Sequence, residues 1–140
     1  MTLFDTSAVI DARDADSPWH EWAIERIIEA NGADGAAVNT IVVAEAGVRA
    51  IDRDHLPSHL EKMGLVLLPL PISVAAPAAK AYVSYLGRLK AEGKTRASRV
   101  PLGDFLIGAH AAANGMDLVT RDPDRVKTYF PSVKLIVPKS

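Results

Sequence analysis

The sequence predicts an α/β domain with a largely parallel sheet, because short apolar strands alternate with helices along its 140 residues. Capping residues and apolar side chains at helical spacing indicate the helices, and short apolar runs between turn residues indicate the strands. The composition, 49% hydrophobic and 24% charged, is ordinary for a globular protein. We therefore expect a single domain covering residues 1–140, long enough to bury a real core.

The first strand is predicted at residues 2–4 and ends at Asp5. Ser17 and Pro18 then have the form of a helix start, with serine as the cap and proline at the first helical position. Apolar residues recur at helical spacing until Asn31 and the following glycine end this helix.

The second strand is predicted at residues 35–38, and Asn39 with Thr40 can cap a helix that carries Glu45 in its first or second turn. The middle of the chain is predicted to contain a short helix from Pro57 to Gly64, a strand at 65–70 and a long helix from Ser73 to Glu92. A basic loop at 94–99, an apolar helix from Pro101 to Asn114, a strand at 118–120, a helical turn at 124–129 and a strand at 133–137 complete it. In parallel sheets, ligands bind at the carboxyl ends of the strands.

The composition also excludes several classes of protein and site. The chain has no cysteine, which excludes disulfides, thiolate zinc sites and cysteine nucleophiles and is compatible with a reducing cytosol. No secretory signal precedes the first strand, and prolines interrupt the longest apolar stretch, at residues 65–79. We therefore expect a cytoplasmic protein that has no membrane partner.

The charges are unevenly distributed along the chain, although the net charge is only −1. Residues 1–70 carry 12 acidic and 5 basic side chains, a net charge of −7, whereas residues 71–140 carry 5 and 11, a net charge of +6. Such a split can indicate a surface that faces a polyanion or a charged partner, although only folding decides which charges share a face.

Four acidic residues lie where apolar segments begin or end: Asp5, Glu45, Asp104 and Asp122. Carboxylates avoid such surroundings unless a cation compensates for their desolvation. Four of them in one small domain suggest a shared cation, and a hard divalent ion such as Mg²⁺ or Mn²⁺ suits carboxylate oxygens.

Each of these acids also has a purely structural explanation. Asp5 can cap a following turn, Asp104 can favour the dipole of its helix, and Asp122 before proline can be a turn residue. Glu45 has almost no polar surroundings, and an ion pair with Arg49 one turn later is its best structural explanation. Taken together, the four acids are better explained by one metal site.

The sequence resembles the PIN-domain ribonucleases, and among them the VapC-type toxins of bacterial toxin–antitoxin pairs. The matching segments are LFDTSA at 3–8, TIVVAE at 40–45, PLGDFLIGAHA at 101–111 and LVTRD at 118–122. Their order, their spacing and the total length agree with this family, and the resemblance covers essentially the whole chain. It implies a PIN-like three-layer α/β/α fold with a mainly parallel central sheet flanked by helices.

The resemblance also implies a function and its partners. It implies a Mg²⁺-dependent endoribonuclease, with Mn²⁺ as a possible substitute, that hydrolyses RNA phosphodiester bonds. It further implies a homodimer and a cognate antitoxin whose peptide segment obstructs the acidic pocket.

The family's site residues carry over to matching positions of this chain. The acidic metal-binding set is Asp5, Glu45, Asp104 and Asp122, and the supporting hydroxyl residues are Thr6, Ser7 and Thr120. Asp5 and Asp104 are expected to be the principal ligands, and Asp122 to bind metal directly or through water. Glu45 is expected to orient the attacking water or to bind metal through water. Asp124 is a possible ligand of a second ion.

Basic residues precede Asp104 and are candidates for contact with RNA. Lys94, Arg96 and Arg99 belong to this loop, which adjoins a proposed catalytic residue, and phosphate contacts dominate affinity for nucleic acid. The alternative is a solvated helix end, where basic side chains also suit the helix dipole.

Arg121 lies between Thr120 and Asp122, where it can contact phosphate or balance nearby carboxylates; the sequence leaves both open. His110 lies on the same predicted helix as Asp104 and is expected to pack or to point to solvent rather than act in catalysis.

Two other functions stay open at this point. A catalytically silent PIN-like module would act through interaction alone, although the presence of all four acids argues against decay of the site. A receiver-like phosphate-signalling domain would have paired acids after the first strand and a phosphoacceptor Asp after a central strand. Here Thr6 follows Asp5, and residues 65–70 lead into proline without an Asp.

Overall fold

The computed structural model describes residues 1–94 and 101–139, and within them five strands alternate with seven α-helices. The strands are β1 (Thr2–Phe4), β2 (Ala36–Asn39), β3 (Leu65–Leu68), β4 (Asp117–Val119) and β5 (Leu135–Ile136). The helices are α1 (Thr6–Arg13), α2 (His20–Asn31), α3 (Thr40–Arg49), α4 (Leu56–Lys62), α5 (Ala75–Ala91), α6 (Leu102–Ala113) and α7 (Asp124–Tyr129). Short 3-10 turns at Arg53–His55 and Ile72–Val74 precede α4 and α5.

The strands form one parallel sheet in the order β3-β2-β1-β4-β5. Leu3 of β1 lies opposite Ala37 of β2 and opposite Leu118 of β4, so β1 is the central strand. The chain adds β2 and β3 on one side of β1 and then returns to add β4 on the other side. A crevice forms at such a reversal, outside the carboxyl ends of the strands. The predicted α/β fold with a mainly parallel sheet is confirmed.

The core lies on both faces of this sheet. Leu3 and Phe4 are both 0% exposed, and successive side chains of a strand point to opposite faces, so helices cover both sides of β1. On one part of the molecule α1 packs against α2 and α3, and on another α5 packs against α6. A separate aromatic cluster joins α5, α6 and α7 through Tyr85, Phe105 and Tyr129.

Three helix starts differ from the sequence-based expectations. Helix α1 was not expected, because its eight residues are too few to show a clear apolar period and its buried face includes the acidic Asp11. Helix α2 begins at His20 rather than after Ser17, whose hydroxyl instead donates to Asp11 (2.9 Å) and accepts from the Trp19 amide (3.1 Å). Helix α5 begins at Ala75, and the expected cap Ser73 lies inside the preceding 3-10 turn.

A membrane-spanning helix would have to be both long and apolar. Within residues 1–94 and 101–139, no helix has the length and hydrophobicity needed to cross a membrane.

Candidate functional site

The four predicted acids line one cavity of about 370 Å³ at the carboxyl ends of β1 and β4. Asp5 follows β1, Glu45 lies in the second turn of α3, Asp104 lies in the first turn of α6, and Asp122 lies between β4 and α7. The three hydroxyl residues expected to support them, Thr6, Ser7 and Thr120, line the same cavity. The fold therefore brings together side chains from four separate segments of the chain.

Asp5 is the cap of α1 as well as a wall of the cavity. Its Oδ1 accepts hydrogen bonds from the Ala8 amide (2.9 Å) and from the Ser7 hydroxyl (2.7 Å). Burial raises the pKa of Asp5 above its usual value, although hydrogen bonds from Thr120, Ala8 and Ser7 act in the opposite direction. The structural explanation of Asp5 is thus correct, and it leaves the second carboxylate oxygen without a role in the cap.

Glu45 is half-buried and is held by a residue of the first helix. The Thr6 hydroxyl donates to Glu45 Oε1 at 2.6 Å, across 39 residues of sequence. No ion pair joins Glu45 to Arg49, although the structure describes both residues, so that explanation of Glu45 is wrong. Its other oxygen, Oε2, lies 2.8 Å from where a Cβ on Gly103 would be. A glycine at this position therefore lets the carboxylate lie directly against the start of α6.

Asp104 is the acid whose titration is most perturbed. Burial, and next the negative charge of Glu45, raise the pKa of Asp104 from 3.8 to about 6. Asp5 and Asp122 add to the effect, while the nearby guanidinium of Arg125 opposes it. At Asp104, three neighbouring carboxylates raise the pKa and one guanidinium lowers it, so negative charge predominates around this side chain.

Thr120 links the last acid to the first. It is 1% exposed, its hydroxyl is hydrogen-bonded to Asp5, and its Oγ1 accepts from the Asp122 amide at 2.9 Å. The Asp5 amide also donates to the carbonyl of Val119 at 3.1 Å. Thr120 therefore fixes the distance between the segments that carry Asp5 and Asp122.

Arg121 balances a carboxylate that the sequence analysis did not identify. Its Nε donates to Asp11 Oδ2, and Asp11 is buried at 3% exposure. The sequence left two roles open for Arg121, contact with phosphate and charge balance. In the structure Arg121 balances the charge of a carboxylate, but that carboxylate belongs to Asp11 rather than to one of the four acids. The signal for Asp11 was the same as for those acids, since it is a carboxylate between Ile10 and Ala12 in an apolar segment.

Other predicted residues lie elsewhere. Asp124 and Lys94 line a neighbouring cavity rather than the acidic one. Arg96 and Arg99 lie outside the described residues. Arg125, which sequence reasoning missed, lines both cavities, and its only sequence signal was its position three residues after Asp122.

The acidic cavity suits a partly hydrated cation better than a protein-only cage. Within residues 1–94 and 101–139, no three histidine, aspartate or glutamate side chains are close enough to enclose a metal ion. Mg²⁺, however, usually keeps several waters and is bound by only one or two carboxylates. The donors are oxygen atoms, and burial is the main cause of the raised pKa values of Asp5 and Asp104, so a bound cation would stabilise both carboxylates in their charged form. The residues present therefore fit a hard divalent ion.

Comparisons with solved structures show the same fold in three proteins of low sequence identity. VapBC2 from Rickettsia felis bound to a promoter DNA fragment is 16% identical over 97% of both chains, with a TM-score of 0.68. FitAcB from Neisseria gonorrhoeae is 21% identical over 97% of this chain and 96% of the other, with a TM-score of 0.63. A toxin–antitoxin complex from Klebsiella pneumoniae is 18% identical over 99% and 98%, also with a TM-score of 0.63.

A search of curated proteins found no match. The family model of the PIN domain, in contrast, matches residues 2–131, which include all four acids of the cavity. PIN domains are generally nucleases that depend on a divalent metal. The chain belongs to the PIN-domain family.

Proposed function

We propose that this protein is a metal-dependent endoribonuclease that acts as the toxin of a VapBC-type toxin–antitoxin system. One observation carries the proposal: Asp5, Glu45, Asp104 and Asp122 line one cavity in a chain of the PIN-domain family. The receiver-like alternative has lost its support, because β3 leads into Pro69 without a phosphoacceptor Asp and the family model is a different one.

The roles of the acids follow from their surroundings. Asp5 and Asp104 would hold Mg²⁺ or Mn²⁺, with Asp122 bound to it directly or through water, and Glu45 would orient the attacking water. The bound ion supplies an activated water and stabilises charge on the phosphoryl oxygen. Thr6 orients Glu45 by its 2.6 Å hydrogen bond, so Glu45 cannot rotate freely away from the cavity.

Four hydrogen bonds preorganise Asp5 and Asp122 before substrate binds. Ser7 and Ala8 donate to the same oxygen of Asp5, which fixes the orientation of this carboxylate. The Thr120 hydroxyl, hydrogen-bonded to Asp5 and to the Asp122 amide, keeps the two aspartates in a fixed relation. Preorganised charge of this kind avoids reorganisation during the reaction.

RNA as substrate, the antitoxin partner and the homodimer are parts of the same proposal. The resemblance to VapC-type toxins supports all three, and the description of a structural neighbour as a toxin–antitoxin complex supports the antitoxin partner. The cytoplasm, where RNA and such a partner would be met, is the proposed location. A divalent ion would neutralise the acidic cavity, which otherwise repels a phosphodiester.

The decisive experiment is cleavage of single-stranded RNA by the purified protein in Mg²⁺ or Mn²⁺, compared with the Asp5→Asn variant. Asp117→Asn is the matched control, because Asp117 lies at the opposite end of β4 and its carboxylate is 3.9 Å from Lys134 Nζ. We expect Asp5→Asn to abolish metal-dependent cleavage and Asp117→Asn to preserve it. Undiminished cleavage by Asp5→Asn would refute the proposal.

A silent PIN-like module is separated from an enzyme by a binding measurement. Mg²⁺ should raise the melting temperature of the wild-type protein, and Asp104→Ala should remove that shift, because binding to the native state alone stabilises it. No shift in the wild type would favour the silent module. If the shift is observed, the 5′ ends of cellular RNAs can be sequenced after brief expression of the wild type, with the Asp5→Ala variant as the control, to identify the RNA target.

A further inference from the structure

A second cavity, of about 460 Å³, lies beside the acidic one between α5 and α7. Arg125 lines both cavities, so its guanidinium group lies between them. A strand of nucleic acid that lies in the acidic cavity and continues past Arg125 would therefore enter the second cavity.

An arginine lying over an aromatic ring forms one wall of this cavity. The Arg88 guanidinium carbon lies 5.5 Å from the centroid of the Tyr129 ring. Tyr129 is itself fixed by the aromatic cluster, with its ring centroid 5.4 Å from that of Phe105 and 6.2 Å from that of Tyr85. Aromatic rings and the flat guanidinium of arginine are the surfaces on which unpaired bases stack.

Positive charge at the cavity is available for phosphate. Within residues 1–94 and 101–139, neither Arg88 nor Arg125 forms an ion pair. Lys94, in contrast, forms one with Glu92, in which its Nζ lies 3.5 Å from Glu92 Oε2. Arg88 is an exposed residue on the last turn of α5. Such a combination of unpaired cations with stacking surfaces is how proteins bind single-stranded nucleic acid.

We propose that this second cavity binds a nucleotide of the substrate RNA that flanks the scissile phosphodiester. Arg88, supported by Tyr129, would stack against the base, and Arg125 would contact the phosphate between the two cavities. The inference rests on the proposed function, because it assumes that RNA occupies the acidic cavity. An acidic protein segment would need the cations but not the stacking surface, so RNA fits the observations better.

The test uses RNA substrates of graded length. The shortest RNA that the wild type cleaves is compared with the same RNA extended by a few nucleotides at either end. We expect Arg88→Gln to raise KM about tenfold for the extended RNA, leave kcat nearly unchanged and have no effect on the shortest RNA. Lys80→Gln is the control, because it removes the same charge from an exposed position on the same helix outside the cavity.

The conservative variant separates stacking from charge. Arg88→Lys keeps the charge but not the planar group, so it should recover less than half of the lost affinity for the extended RNA. Equal KM values for Arg88→Gln and Lys80→Gln at every length would overturn the proposal. A second combination of results would also overturn it. In that case an acidic peptide that needs Arg88 for its own binding displaces the extended RNA, and the extended and the shortest RNA are cleaved with the same KM.

Failure of the proposed function gives a different pattern. If Asp5→Asn cleaves RNA as well as the wild type, the metal mechanism is wrong, but the dissociation constants of Arg88→Gln and Lys80→Gln for extended RNA still test the second cavity. If Asp5→Asn is inactive and those two variants bind alike, only the nucleotide site is refuted.

Discussion

Asn39 and His110 are joined by a buried hydrogen bond of 3.1 Å between Asn39 Nδ2 and His110 Nδ1. Asn39 also caps α3, because its Oδ1 accepts from the Val42 amide at 3.0 Å. An amide nitrogen can only donate, so His110 accepts through Nδ1 and is the neutral imidazole with its proton on Nε2. The pair ties the start of α3, which carries Glu45, to α6, which carries Asp104.

The first prediction concerns the Asn39 donor. Asn39→Asp keeps the cap of α3 but replaces the donor with an acceptor, so Nδ1 of His110 must be protonated to regain the bond. We expect the pKa of His110, followed by its imidazole NMR signals, to rise in Asn39→Asp relative to the wild type. Asn39→Ala loses both bonds and should lower the free energy of unfolding in urea by about 1–2 kcal/mol. An unchanged pKa in Asn39→Asp would contradict the assigned direction of the hydrogen bond.

The second prediction is a pH dependence of stability from His110. Burial lowers the pKa of His110 below its value of 6.5, so the unfolded chain takes up a proton more readily than the folded protein. The stabilisation is complete above pH 6.5 and is lost as the pH falls from there through the folded-state pKa. Urea titrations should show this loss in the wild type relative to His110→Gln, which has no group to titrate. Parallel pH profiles for the two proteins would contradict it.

The fold was largely predictable because local signals and tertiary structure agree. The strands at Thr2–Phe4 and Ala36–Asn39 are short apolar runs in the middle of the sheet. Asn39 was predicted to cap a helix and is the cap of α3. Helix α1 was missed because it is short and buries Asp11. A buried acid breaks the apolar period on which helix prediction relies.

The site was predictable as a set of acids but not as a set of contacts. Each acid in an apolar segment was visible along the chain, whereas its partner was not. Arg121 and Asp11 are 110 residues apart, and Asn39 and His110 are 71 apart. No local pattern identifies such pairs, because only the folded sheet brings them together. The influence of Arg125 on the pKa of Asp104 depends in the same way on the packing of α7, which carries Arg125.

The third prediction concerns the glycine beside Glu45. In Gly103→Ala the new Cβ would lie 2.8 Å from Glu45 Oε2 and 3.3 Å from Ile41 Cγ2, so the carboxylate has to move. This movement weakens at most the Thr6 hydrogen bond to Glu45, so the free energy of unfolding should fall by no more than about 1 kcal/mol. RNA cleavage should nevertheless fall about 10–100-fold, since small displacements of catalytic groups are costly.

Gly87→Ala is the control for Gly103→Ala. Gly87 lies in α5, and no atom of residues 1–94 or 101–139 is within 4 Å of its added Cβ, so alanine should stabilise the helix by about 0.5–1 kcal/mol and leave cleavage unchanged. Equal activity of the two variants would show that the position of Glu45 against Gly103 is not needed for cleavage.

The fourth prediction is that the acidic cavity destabilises the protein when no divalent ion is bound. The pKa of Asp104 is about 6 in the folded protein, whereas 3.8 is the ordinary value that represents the unfolded chain. The folded protein therefore binds this proton more tightly than the unfolded chain does. The resulting destabilisation is complete above pH 6 and decreases as the pH falls from 6 toward 3.8. Asp104→Asn should therefore stabilise the metal-free protein near neutral pH by about 1 kcal/mol, because solvent screens part of the effect.

Mg²⁺ should reverse the order of stability of the wild-type protein and Asp104→Asn. An ion present at about a hundredfold its dissociation constant stabilises the native state by about 2.7 kcal/mol, and Asp104→Asn should lose most of that gain. Urea titrations with EDTA and with Mg²⁺ measure both effects, and Asp117→Asn, outside the cavity, controls for loss of one negative charge. Equal responses of Asp104→Asn and Asp117→Asn to Mg²⁺ would place the ion elsewhere. The crossing is expected because the buried carboxylate that destabilises the metal-free protein is the group that the ion would neutralise.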